Sequence, residues 1–200
     1  MEEPIRTYVL YTEHNKEEHL AEVLTSTVKR EYPEAVERIY VPKVVRMWHQ
    51  KDENGRKNWT EKEVPLFYNY VFIESRDITA FSRILRTLRI ETSYHMVGKN
   101  RTGEKETGIE EYPIIPVSES DMERLKGLLG TGGIVGKSTY IKEGSHVEFR
   151  SGPLKGREAE VKKINPSKRY AIMEMDFLGE KRNISMAVEM LSGNADPTSN

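Results

Sequence analysis

Several groups of residues in this chain have the types that chemistry uses. Gly130-Thr131-Gly132-Gly133-Ile134-Val135-Gly136-Lys137-Ser138 ends in Gly-Lys-Ser, as a phosphate-cradling loop does. In such a loop, backbone amides hold the phosphates and the lysine reaches the terminal ones. That spacing needs glycine at position 131, where this chain has Thr131, and the segment follows a helical pattern instead of a strand. Its amides would not be aimed at a phosphate, so it reads as linker. The histidines His14, His19, His49, His95 and His146 show no metal-ligand pairing; the nearest two are five apart, off any single helical face. There is no Gly-x-Ser-x-Gly elbow, and the acidic residues are scattered. Cysteine is absent, which removes thiolate nucleophiles, disulfides and cysteine-based zinc sites. The residues point away from catalysis, and no metal or cofactor is expected. What remains is recognition: Arg83, Arg86 and Arg89, with no acid between residues 78 and 90, could pair with phosphates. A solvated helix face is the alternative reading.

The elements that would position these residues can be read from pattern. Thr7–Tyr11 is β-branched and aromatic, a first strand. A helix follows, with Asn15 as N-cap, Glu18 three residues on, and Leu20, Val23, Leu24 and Val28 on one face. Val44–Lys51 and Arg56–Val64 flank Asn54-Gly55, a turn signal, and should pair as a hairpin. Val71–Glu74 ends a buried strand. Asp77 caps a second helix whose apolar face is Ile78, Phe81, Leu85 and Leu88. A third helix starts near Ser118 or Ser120, with Ser120 and Glu123 as a capping box. Lys99–Gly108 reads as a mobile loop.

Four strands then follow in close succession: Ser145–Phe149, Glu158–Ile164, Tyr170–Phe177 and Asn183–Val188. A sheet that short must curl to bury a core. The expected fold is therefore α+β: an α/β sandwich domain over residues 5–126, a flexible linker over 127–140, a small β-barrel over 141–191 and a disordered tail over 192–200. The formal charge of -1, from 31 basic against 32 acidic residues, argues against coating nucleic acid through bulk charge. The acidic N-terminus is no signal peptide, and no apolar run is long enough to cross a membrane, so a cytoplasmic monomer is expected.

Two segments carry a family resemblance. Gly152-Pro153-Leu154-Lys155-Gly156-Arg157-Glu158-Ala159-Glu160-Val161 resembles the KOW motif. Pro65-Leu66-Phe67-Tyr68-Asn69-Tyr70-Val71-Phe72-Ile73-Glu74 resembles the central strand of NusG N-terminal (NGN) domains. Tyr40-Val41-Pro42 and Pro116-Val117-Ser118 match the family's entries to the hairpin and the third helix. In this order, over residues 5–191, they resemble the NusG family of transcription elongation factors. Tyr68-Asn69 stands where the family has Pro-Gly, and Leu88–Tyr94 replaces another family segment. Both departures are similar to specialised paralogs of the LoaP or RfaH antiterminator type.

The resemblance implies a non-enzymatic factor that suppresses pausing or termination. Its N-terminal NGN sandwich would grip the clamp helices of RNA polymerase, with Tyr11, Phe67, Tyr68 and Tyr70 as candidates. Aromatics suit such an interface because they bury large area with few rotamers to freeze; each is equally readable as core. Phe67 and Tyr68 are adjacent, so in an extended chain one of them faces out. Arg83, Arg86 and Arg89 would meet an RNA hairpin or upstream DNA, as would Lys155, Arg157, Lys162 and Lys163 around the KOW turn, although ten basic against eight acidic residues in 141–191 leave only a small excess. Phe177, Leu178 and Ile184 lie where the family's SH3-like KOW barrel binds ribosomal protein S10 or Rho. The competing reading is an RNA-binding or ribosome-associated KOW module that does not act on polymerase.

Overall fold

The computed structural model describes residues 4–31, 33, 34, 36–87, 95, 96 and 116–191. In chain order the strands and helices are β1 (Arg6–Tyr11), α1 (Glu17–Glu31), β2 (Arg38–Tyr40), β3 (Lys43–Lys51) and β4 (Lys57–Pro65). They continue with β5 (Tyr70–Ser75), α2 (Ile78–Thr87), β6 (His95–Met96), α3 (Glu119–Lys126) and β7 (Ile134–Val135). The chain ends in β8 (Ser138–Glu143), β9 (His146–Ser151), β10 (Val161–Asn165), β11 (Tyr170–Phe177) and β12 (Glu180–Met190). It divides into two compact units, Met1–Val41 with Phe67–Met122, and Pro42–Leu66 with Glu123–Asn200.

The first unit is an antiparallel sheet in the order β2-β5-β1-β6. Alternation sorts its side chains: Leu10, Val71 and Ile73 pack with Leu20, Ala21, Leu24 and Val28 of α1 and Phe81 of α2. Val23, expected on that face, is 40% exposed. At about 100° per residue the apolar stripe is centred between Leu20 and Ala21, and Val23 falls at its edge. Helix α1 also starts later than expected. Asn15 adopts a left-handed φ of 63°, so the Lys16 carbonyl accepts the first helical bond, from Leu20. Helix α2 begins as its sequence indicates, with the Asp77 carboxylate accepting from the Ala80 N–H at 2.9 Å. For α3 the cap is Ser118, whose hydroxyl accepts from the Asp121 N–H at 3.2 Å.

The second unit holds a curled five-stranded sheet, a half-barrel in the order β10-β11-β12-β8-β9, together with a three-stranded sheet in the order β4-β3-β7. The whole is α+β. Hairpin β3–β4 pairs without interruption from Lys43↔Pro65 to Lys51↔Lys57. Its connection is longer than a two-residue turn because the Asp52 carboxylate takes the N–H groups of Asn54 (3.0 Å) and Arg56 (2.7 Å). Gly55 supplies the positive φ of 75°.

Segment 127–140, expected as a flexible linker, is built into this unit. Leu128, Val135, Ser138 and Tyr140 are buried. Strand β7 pairs in parallel with β3, and β8 pairs in parallel with β12. The Lys137 ammonium lies 3.0 Å from Glu61 of the hairpin and 2.8 Å from Glu189 of β12. Arg169 covers Trp59 at 5.2 Å, and Arg46 donates to the Ser185 carbonyl at 3.3 Å. The hairpin thus shares a compact unit with the half-barrel. Gly152, at φ 83°, explains the tight fit of β8: a Cβ there would come within 2.4 Å of the Lys137 carbonyl oxygen. Next to it the buried Ser138 hydroxyl accepts from the Leu154 N–H at 3.1 Å. Lys99–Gly108, expected as a mobile loop, and 192–200, expected as a disordered tail, lie outside the described residues, as do Leu88 and the side chain of Leu85 on the expected apolar face of α2.

Candidate functional site

At one end of the first unit's sheet, β1 and β5 place Tyr11 directly opposite Tyr70. Their rings meet edge to face, with centroids 6.0 Å apart. Tyr11 is 42% exposed, whereas Tyr70 is buried beneath it. The connection leading into β5 carries the next ring: Tyr68 is half-buried, with its centroid 4.9 Å from that of His14. Phe67 turns inward and stacks on Phe72, 6.2 Å away with planes inclined by 23°. It is 6% exposed. Of the four aromatics expected to offer a surface, Phe67 and Tyr70 are therefore sealed, and Tyr11 and Tyr68 are accessible.

A polar latch holds this connection in place. Asn69, at a left-handed φ of 71°, donates its backbone N–H to the Glu17 carboxylate at 2.6 Å. Its side-chain amide donates to the Thr12 carbonyl at 2.9 Å, and the Thr12 N–H returns a bond to the Asn69 carbonyl at 2.8 Å. Glu17 is 1% exposed. Asn tolerates this backbone region because its short amide can bond locally. Nearby on the same sheet, burial beside Glu74 pushes the Tyr40 phenol well above its usual range, while Arg38 lies 4.2 Å over its ring.

The arrangement presents aromatic rings around a hydrogen-bonded connection. Among the described residues, no three His, Asp or Glu side chains are grouped so as to hold a metal ion. An amphipathic aromatic patch fixed by a rigid latch is suited to gripping another macromolecule. A family model described as the transcription termination factor nusG matches residues 6–126. The chain belongs to the NusG family. This is a family of non-enzymatic transcription factors that act on RNA polymerase. A comparison with curated proteins returns no match. No described helix is long and apolar enough to cross a membrane.

The remaining residues singled out by sequence fall in separate places. Arg83 is exposed on α2 of the first unit. The side chain of Arg86 and all of Arg89 lie outside the described residues. In the half-barrel, Lys155 and Lys163 are exposed, while Arg157 is half-buried and 3.4 Å from Glu160. Lys162 stands 3.5 Å from Glu174, whose carboxyl is held below its usual range chiefly by Lys181, 2.9 Å away.

Phe177 and Ile184, expected to face a partner, are buried at 0% and 3%. The reason is the pleat: alternate residues of β11 and β12 fill the half-barrel core, and these two fall on that face. Leu178 is different. It sits half-buried in the two-residue turn between Phe177 and Glu180, at φ 54°, followed by Gly179 at φ 76°. Sequence reasoning missed Glu17 and His14. An acidic residue in a helix's first turn normally stays in solvent, and nothing local marks either residue as a neighbour of positions 68 and 69.

Proposed function

We propose that this NusG-family chain is an elongation or antitermination factor of the specialised paralog type that docks on the clamp helices of RNA polymerase through Tyr11 and Tyr68. Tyr70 and Phe67 act beneath them as rigid backing, and the Glu17–Asn69 latch sets the angle at which Tyr68 is presented. The observation that supports this most is the exposed Tyr11 ring seated on the buried Tyr70 ring. An exposed aromatic anchored from below loses little freedom on binding, which is the property of an interface anchor. Bound across the clamp, the factor would disfavour paused states only by its differential affinity for the closed form.

Arg83, Arg86 and Arg89 would add phosphate contacts to an RNA hairpin or upstream DNA, joined by Lys155, Arg157, Lys162 and Lys163 of the KOW-like half-barrel. Leu178 is the residue of that half-barrel best placed to meet a protein such as ribosomal protein S10 or Rho. A bulky side chain kept in a left-handed turn position, where glycine or asparagine would be relaxed, is the kind of strain that persists where function requires the side chain.

The test is co-migration of the full chain with core RNA polymerase, coupled to a termination assay in vitro. Tyr11→Ala with Tyr68→Ala should weaken binding by about tenfold or more. Undiminished binding and activity in that double variant would remove this reading and favour an RNA-binding or ribosome-associated module.

A further inference from the structure

The chain's two tryptophans stand on opposite faces of hairpin β3–β4. Trp59 shares its face with His49, Met47, Glu61 and Glu63, and is covered by the His49 ring at 4.8 Å and the Arg169 guanidinium at 5.2 Å. Trp48 lies on the other face and is 50% exposed. A single exposed apolar side chain needs no explanation. The sorting of its neighbours does.

Cross-strand register places Arg46, Trp48 and Gln50 of β3 on one face with Lys62, Thr60 and Asn58 of β4. Both carboxylates of the ladder, Glu61 and Glu63, fall on the opposite face, so this one carries two cations, three neutral hydrogen-bonding side chains and no acid. The Lys62 ammonium sits 5.1 Å over the indole. Gln50, Asn58, Thr60 and Lys62 are exposed. The face is fixed from behind, since Lys137 ties Glu61 to Glu189, and on the face itself Arg46 is held by the Ser185 carbonyl.

We propose that this face binds single-stranded nucleic acid: an unpaired base stacks on Trp48, and the adjoining phosphate pairs with Lys62. The chemistry selects this occupant over an acidic peptide. A carboxylate chain would use the cations and leave the indole idle, whereas an unpaired nucleotide uses ring and charge together. Duplex nucleic acid has its bases stacked inside and could not reach the indole. The residues are separate from Tyr11 and Tyr68, so this inference stands apart from the polymerase-docking reading.

The experiment titrates the full chain with a short fluorescent-labelled oligothymidylate, following its anisotropy and, with unlabelled oligomer, the tryptophan emission. Binding should quench that emission. Trp48→Ala should lose about tenfold in affinity or more, and Trp59→Phe should keep both affinity and quenching. Lys62→Ala should weaken binding and lower the slope of log K against log salt by about 0.7. A duplex of equal length should bind more weakly than the single strand. Trp48 is exposed, so its alanine variant is expected to fold, and circular dichroism checks this. The idea is overturned by wild-type affinity in Trp48→Ala. It is equally overturned if the duplex binds as tightly as the single strand, or if polyglutamate competes at the same concentrations with the same dependence on Trp48. None of these arms contains polymerase, so failure here leaves the docking reading untouched.

Discussion

The backbone N–H of Asn69 donates to the carboxylate of Glu17 at 2.6 Å, across 52 positions of sequence and in a place where Glu17 is 1% exposed. The bond joins the first turn of α1 to the connection that presents Tyr68. Removing the carboxylate leaves a part-buried N–H without its acceptor while Asn69 is still held left-handed. Glu17→Ala is therefore expected to cost about 1–3 kcal/mol, measured as a shift in urea midpoint at unchanged slope. Glu17→Gln keeps an acceptor oxygen and should cost less. In Glu17→Ala, polymerase binding should fall by more than the loss of folded protein accounts for, because Tyr68 is no longer held beside His14, and Glu17→Gln should restore most of it.

Gly152 and Gly156 separate two reasons for a glycine. Both have positive φ, but a Cβ at Gly152 would meet the Lys137 carbonyl at 2.4 Å and the Ser138 Cα at 2.6 Å, whereas one at Gly156 meets nothing within 4 Å. Gly156→Ala should cost about 1–2 kcal/mol for its backbone conformation alone. Gly152→Ala adds a backbone clash and should cost distinctly more, about 3 kcal/mol or above, since β8 must shift away from the turn. Thermal melts of the two variants followed by circular dichroism rank them.

Acid should loosen the second unit through two carboxylates. Glu158 is held below its usual range by backbone N–H groups, first its own and then that of Phe149 at 3.1 Å. Glu189 is held down chiefly by the Lys137 ammonium. A depressed carboxyl contributes stability above its unfolded value, about 4.3, and that stability is lost as pH falls through the folded value. Urea midpoints measured from about pH 7 down to about pH 3 should fall steadily below about pH 5. Glu158→Gln should begin from a lower plateau and fall less steeply. An acid limb as steep as that of the wild type would show that Glu158 plays no part in it.

What could be read from sequence was local. The residues of β1, the Asp77 cap, the pairing of β3 with β4 and the strands β9, β11 and β12 follow from pattern and turn chemistry within a few positions, and the NusG-family resemblance rested on such segments. What failed was long-range. Glycines in 127–136 suggest flexibility, yet the partners that order 127–140 are Lys43 and Val44 on β3, Glu61 on β4 and the Gly152 turn. No local pattern announces them. Alternation showed that Phe67 and Tyr68 face opposite ways, but which of them is covered depends on Phe72 and His14, brought in by other strands and loops. Phe177 and Leu178 present the same case in the half-barrel: adjacent apolar residues, of which the pleat buries the first.

Leu178 allows stability and binding to be pulled apart. At φ 54° its side chain strains the first position of a tight turn that Asn or Gly occupies readily, and the following residue, Gly179, already has φ 76°. Leu178→Gly should relieve about 1 kcal/mol of backbone strain while giving back some of it through the greater freedom of the unfolded chain. Leu178→Asn avoids most of that second term and should be the more stable of the two. If the leucine is retained for contact with a partner, both variants should melt at or above the wild-type temperature yet bind that partner more weakly. Surface plasmon resonance against ribosomal protein S10 and against Rho, run beside the melts, reads both quantities. Full binding by the stabilised Leu178→Asn variant would return this turn to a purely structural role and move the search for the partner site to another edge of the half-barrel.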